Sequence, residues 1–254
     1  MILSVEGLSM KFGGVTALQN VTFAVRTHHI KAIIGPNGAG KTTLFNLVTG
    51  IYRPTSGRIV FDGEEIAAKR PDRIAALGVT RTFQNVELFS NMSVIENVMV
   101  GRHIRSRSGF LSSAFALPWA RREEREIKNR ARHYLEFVGL LPRERDMASS
   151  LPLGHQRYLE IARALALEPR LLLLDEPAAG LDERETEELS LLIKKIRDTG
   201  ITIVLVEHDM SLTMAISDEI VVLDYGRRIA EGTPREIQYD KKVIDAYLGG
   251  GTVA

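Results

Sequence analysis

Cysteine is absent from the 254 residues, which excludes disulfides and thiolate metal sites and suits a reducing compartment. Long apolar runs are missing as well. None approaches the ~18–20 residues needed to span a bilayer, so any membrane association is expected to come through a partner. A surplus of one charge is also lacking: 33 Lys and Arg face 32 Asp and Glu, and nothing in that balance points to nucleic acid. The opening Met1-Ile2-Leu3-Ser4-Val5-Glu6 has neither the basic start nor the apolar stretch of a secretory signal, so a soluble chain is expected. Internal repeats and low-complexity tracts are not apparent. A chain of this length can bury one sizeable core, with room for a subdomain.

What is present is ordered as strands first and alternation later. Residues 2–11 and 15–25, around Gly13-Gly14, read as an antiparallel pair. Lys31-Ala32-Ile33-Ile34 reads as a short strand entering Gly35, and the stretch from Lys41 to Thr49 as a helix closed by Gly50. Residues 58–61 and 79–83 read as further strands, and Ser93 with Glu96 as a capping box opening a helix to about Val100. Residues 102–118 are basic, Ser-rich and irregular, as in a loop or insertion. Beyond them Ile127, Ala131, Tyr134, Leu135 and Val138 fall at helical spacing, and the charges between them read as a solvated face. Leu171 to Leu174, Thr202 to Val206 and Ile220 to Leu223 are apolar strands, with a helix from Glu183 to Asp198. Such runs alternating with helices predict a mainly parallel sheet covered on both faces, an α/β fold.

The most specific pattern is Gly35-Pro36-Asn37-Gly38-Ala39-Gly40-Lys41-Thr42, which matches GxxxxGK[ST] with a strand before it and a helix after it. Its glycines let the backbone curl so that N–H groups point at phosphate oxygens. Lys41 offers a point charge to the terminal phosphates, the Thr42 hydroxyl can ligate Mg²⁺, and the following helix adds its positive end. A second pattern is Leu171-Leu172-Leu173-Leu174-Asp175-Glu176-Pro177, a buried strand ending in two carboxylates that point in different directions. Alone this is a solvated strand end. Downstream of a P-loop, Asp175 reads as the acid that holds the metal shell, which leaves Glu176 as candidate general base.

The order of P-loop, Gln84, Leu151-Pro152-Leu153-Gly154-His155-Gln156, Asp175-Glu176 and His208 resembles the ABC ATPase cassette over essentially the whole chain. The resemblance implies a single ABC ATPase domain over 1–254: a P-loop core, an N-terminal antiparallel β portion and an inserted helical subdomain at about 85–160. It implies hydrolysis of ATP with Mg²⁺, the nucleotide held by Phe12, Gly35, Pro36, Asn37, Gly38, Ala39, Gly40, Lys41, Thr42 and Thr43. The metal set would be Thr42, Gln84 and Asp175, and the catalytic set Glu176, His208 and Gln84. Gln84 would be the Q-loop glutamine that also senses a transmembrane partner, Ala179-Gly180-Leu181-Asp182 the D-loop, and His208 the switch histidine on the γ-phosphate. Phe12 stands where the family stacks an aromatic on adenine, a contact of roughly 1–3 kcal/mol; core filling is its other reading.

One element departs from the pattern. The family's signature begins Leu-Ser-Gly-Gly-Gln and binds the γ-phosphate held by the opposite subunit. Here Leu153, Gly154, His155 and Gln156 are left to do so, because Pro152 has neither hydroxyl nor N–H. This half of the nucleotide sandwich is expected to be the weaker one.

Lys11-Phe12-Gly13-Gly14, Arg81-Thr82-Phe83-Gln84, Val94-Ile95-Glu96-Asn97-Val98, Leu159-Glu160-Ile161-Ala162-Arg163, Glu207-His208-Asp209-Met210 and Val243-Ile244-Asp245-Ala246-Tyr247-Leu248-Gly249 further resemble ATPases of branched-chain amino acid importers, of the LivG type. That resemblance implies a second ABC ATPase subunit, identical or different, two transmembrane permeases and, indirectly, a periplasmic binding protein. It implies a peripheral place on the cytoplasmic face of the inner membrane, and no nucleic acid. Cassettes of lipid or lipopolysaccharide exporters share many of these strings. Soluble ABC ATPases acting on DNA or ribosomes are the third reading, and they usually carry two cassettes or long coiled-coil insertions, which this chain lacks.

Overall fold

The computed structural model describes residues 1–82, 84, 86–102 and 118–248. The chain divides into two compact units, one of residues 1–81 and 170–254 and one of residues 82–169.

The first unit holds two sheets. β1 (Leu3–Phe12) and β2 (Val15–Val25) form the antiparallel pair expected from sequence, and β4 (Ser56–Phe61) with the two-residue β5 (Glu64–Glu65) extends it in the order β2-β1-β4-β5. The second sheet runs β10-β9-β3-β8-β7-β6. β3 (Ile30–Ile34), β6 (Val79–Arg81), β7 (Leu171–Asp175), β8 (Thr202–Val206) and β9 (Glu219–Asp224) are mutually parallel, and β10 (Arg227–Gly232) closes one edge antiparallel to β9. Every residue of β3, β7 and β8 is buried, which explains why these strands read as apolar runs without alternation.

Alternation decides which core each residue joins. Ile33, Leu171, Leu173, Val204, Val206, Val221 and Leu223 pack in one cluster with β1, β2, β4 and the helix α1 (Lys41–Val48). Ala32, Ile34, Ile220 and Val222, one residue out of phase, face the other way and meet Ile237 and Val243. Those two belong to α8 (Pro234–Gln238) and α9 (Lys241–Leu248). α6 (Glu183–Asp198) buries Leu189, Leu192, Ile193 and Ile196, one helical stripe. α2 (Pro71–Leu77) precedes β6, and α7 (Met210–Ile216) precedes β9.

The second unit is helical. α3 (Val94–Arg102) packs against both α4 (Pro118–Phe137) and α5 (Leu153–Leu165). Ser93 and Glu96 make the expected capping box, with the Ser93 N–H donating to Glu96 at 2.8 Å. Gly101 lets α3 approach α5 closely, since a Cβ there would lie 2.3 Å from the Arg163 carbonyl oxygen. Ala131, Leu135 and Val138 supply the buried stripe at and after α4. The irregular reading of residues 102–118 falls, apart from its two ends, outside the described residues.

Several boundaries shift. The strand expected over 79–83 ends at Arg81, whose side chain turns to Asp175. The helix that carries the signature residues begins at Leu153, with Pro152 as its N-cap. The short elements α2, β10 and α8 carry too few apolar residues for a periodicity to show.

Candidate functional site

The P-loop joins β3 to α1. Gly35, Gly38 and Gly40 hold φ values of 149°, 81° and 99°, which L side chains rarely adopt. Gly40 caps α1 without a side-chain hydrogen bond, so the first-turn N–H groups face outward as an anion site. Lys41 is buried, and its Nζ donates to the carbonyls of Gly35 at 2.6 Å and Pro36 at 3.1 Å. Burial pushes the Lys41 ammonium below its usual pKa, and the charges of Glu176 and Asp175 pull it back. Asn37, Gly38 and Thr42 are exposed, Pro36 and Thr43 half-buried, and Ala39 is buried with its carbonyl accepting from Gly226 at 3.1 Å.

The two acids stand at the end of β7. Asp175 is 2% exposed and accepts from Arg81 Nη2 at 2.6 Å. Burial raises its carboxyl pKa against the hydrogen bond and charge of Arg81. Glu176 leaves the strand with φ 47°, its N–H donating to Val206 at 2.8 Å and its carbonyl accepting from Ala179 at 3.1 Å. Glu176 Oε2 lies 3.7 Å from Nδ1 of His208, an exposed ring.

Glu207 had no role in the sequence reading. Its buried carboxylate accepts from the N–H groups of Ala178 at 2.9 Å, His208 at 2.9 Å and Asp209 at 3.2 Å. It therefore pins the loop bearing His208 to the loop that follows Glu176. Asp182 is the N-cap of α6 and shares a capping box with Glu185. Phe12 is 42% exposed and sits edge-to-face on Tyr52 at 5.2 Å, which disfavours core filling as its role. Tyr247 of α9 was also missed as a neighbour of the P-loop: burial raises its phenol pKa and a hydrogen bond to the Gly35 backbone works against that.

The remaining site residues of the sequence reading belong to the second unit. Gln84 is exposed; Phe83 and Asn85 beside it lie outside the described residues. Leu153 is exposed and Gly154 buried in the first turn of α5. The buried Nδ1 of His155 has no hydrogen-bond partner, and Gln156 Nε2 donates to the Leu151 carbonyl at 2.8 Å.

Among the described residues no three His, Cys, Asp or Glu side chains cluster as a metal cage. Of the three candidate oxygen donors, the first unit holds one carboxylate, Asp175, and one exposed hydroxyl, Thr42, and the second unit the exposed amide of Gln84. Such a sparse, hard set fits Mg²⁺ that arrives with phosphate oxygens of its own, as Mg²⁺ usually does.

A P-loop, a buried strand-end acid, a neighbouring second acid and a histidine across from it define an ATPase of the cassette type. The ABC transporter family matches residues 18–179, and the chain belongs to that family. A second family, branched-chain amino acid ATP-binding cassette transporter, matches residues 227–252. The chain is 49% identical to BraF of Pseudomonas aeruginosa, a high-affinity branched-chain amino acid transport ATP-binding protein, over 98% of both chains. It is 47% identical to LivG of Escherichia coli K12, a protein of the same description, again over 98% of both. A nucleotide-free cassette from an ABC transporter superposes with a TM-score of 0.85 at 32% identity, covering 97% of this chain and 98% of that one. A dimeric cassette in a post-hydrolysis state with ADP and Pi gives 0.78 at 25% identity, covering 92% and 99%. The chain is thus an ATP-binding ABC ATPase. No described helix is long and apolar enough to cross a membrane.

Proposed function

We infer that the chain energises uptake of branched-chain amino acids as the ATPase subunit of an importer in the inner membrane. The observation that carries this is the C-terminal match over residues 227–252, a segment separate from the general cassette match. The 47–49% identity to BraF and LivG supports the same reading.

The chain pairs with a second cassette, and the pair acts on two permeases from the cytoplasmic face of the inner membrane, with a periplasmic binding protein delivering the ligand. Phe12 stacks on the adenine. Gly35, Pro36, Asn37, Gly38, Ala39, Gly40, Thr42 and Thr43 wrap the phosphates, with Lys41 as the charge on the terminal ones. Thr42, Asp175 and, by its place in the motif order, Gln84 would hold Mg²⁺. When bound, that ion neutralises charge on the phosphate oxygens. Glu176 takes the proton of the attacking water, and Glu207 keeps His208 opposite it. Asp182 stands in the D-loop. Leu153, Gly154, His155 and Gln156 face the nucleotide of the partner cassette.

Membranes carrying the tagged chain should yield two permeases and a second cassette on purification. In the reconstituted complex, leucine-, isoleucine- or valine-loaded binding protein should raise an ATPase rate that is low in the isolated chain. Stimulation by a lipid, with none by these amino acids, would replace the importer by an exporter.

The signature gives a second test. Pro152 is the α5 N-cap with φ −57° and ψ 156°, a backbone that serine adopts freely. A serine hydroxyl aimed at a phosphate adds a hydrogen bond to a charged group, roughly 1.5–3 kcal/mol. In a Glu176→Gln background, Pro152→Ser is expected to tighten ATP-dependent association at the site built on the partner's P-loop by about tenfold or more. Serine would also cap α5, so thermal unfolding of the nucleotide-free chain is measured in parallel. Equal or weaker association would mean that the Leu153 and Gly154 N–H groups already suffice.

A further inference from the structure

Arg81 stands at the end of β6, in a string of the family reading that gave it no role, and it touches three side chains of the first unit. Its Nη2 donates to Asp175 Oδ2 at 2.6 Å and its Nη1 to Asn46 Oδ1 at 2.6 Å. Its guanidinium lies 5.4 Å from the centre of the Phe45 ring. Both members of the ion pair are buried, with side chains 7% and 3% exposed. Asn46 and Phe45 belong to α1, the helix that begins with Lys41 and Thr42. Arg81 also pairs in parallel register with Leu173, two residues before Asp175.

We propose that Arg81 is the positioning residue of the Mg²⁺ site: it fixes the orientation of the Asp175 carboxylate relative to α1, and so relative to Thr42. The inference rests on the reading of Asp175 as a metal holder. A planar fork with two donors at a fixed angle can bond a carboxylate and an amide at once, while the ring of Phe45 sets the plane. A lysine would keep the charge but not the angle. Outer partners of metal-binding carboxylates commonly govern metal affinity about 10–100-fold.

The test uses the full chain with Glu176→Gln, so that nothing is turned over, and a fluorescent ATP analogue titrated in EDTA and in Mg²⁺. The readout is the gain in nucleotide affinity that Mg²⁺ brings. With Arg81→Met, affinity in EDTA should stay at the parent's value while the Mg²⁺ gain falls about 10–100-fold. Arg81→Lys should also lose much of the gain. Full retention of the gain in Arg81→Met, equal weakening with and without Mg²⁺, or full rescue by Arg81→Lys each overturns the proposal. If Arg81→Met fails to fold for want of a counter-charge to Asp175, Arg81→Lys decides alone. Asp175→Asn serves as the reference. If it leaves the Mg²⁺ gain intact, the metal reading of Asp175 has failed, whereas a loss there beside full retention in the Arg81 variants rejects Arg81 alone.

Discussion

A chain carrying Glu176→Gln is expected to bind ATP as tightly as the natural chain while hydrolysing it about 10²–10⁴-fold more slowly. The amide has the volume of the carboxylate and cannot accept the water's proton. The loop need not change: the backbone of Glu176 is held through Val206 and Ala179. His208 keeps its place as well, because its N–H is held by Glu207 at 2.9 Å. Turnover in the assembled complex and nucleotide binding in the isolated chain are the two measurements, and near-normal turnover would remove Glu176 from the role. Lys41→Ala should do the reverse and abolish tight binding. It deletes the charge facing the phosphates and also the donor that ties the carbonyls of Gly35 and Pro36 together. The two variants must separate in a binding assay for the assignment to stand.

Gly35→Ala is expected to cost about 4 kcal/mol or more of stability and nucleotide binding with it. A Cβ at Gly35 would fall 2.0 Å from the Leu223 carbonyl oxygen and 3.1 Å from the Ala39 Cβ, at a φ of +149°. The obstacle is backbone at the end of β9, so no side chain can swing away; either the P-loop or the strand must move. Gly38→Ala makes the control. Its φ is +81° and nothing lies within 4 Å of the added carbon, so its cost is backbone strain of about 1–2 kcal/mol. Denaturant midpoints of the two variants check this, and equal destabilisation would show that the junction of β3 and the P-loop yields easily.

Those two glycines also mark how far the sequence could be read. Both carried the same expectation, a curled loop presenting N–H groups, because that chemistry is local to eight residues. That Gly35 additionally lies under Leu223 depends on a strand nearly two hundred residues further on, and no pattern within the loop encodes it. The parallel strands were legible because β3, β7 and β8 are buried on both faces and hence uniformly apolar. β10, Arg227–Gly232, is a half-exposed edge with two arginines and a glutamate, and gave no run to notice. α2 left a trace in Pro71 at its start and Gly78 at its end, but it buries only Ile74. Arg81, Glu207 and Tyr247 were missed for one reason. Each acts through a contact with another segment of the chain, which the single letter does not reveal.

The backbone of Glu176, at φ 47°, is one that a non-glycine residue holds at a cost of about 1–2 kcal/mol. The same residue sets a negative charge beside the buried Asp175. A population of variants sorted only for thermal endurance, with transport left out of the sorting, should therefore drift at position 176 toward glycine or asparagine. The hardiest members of such a population would be the ones that had discarded the proton acceptor, so their enrichment would show how far turnover and endurance pull this position apart.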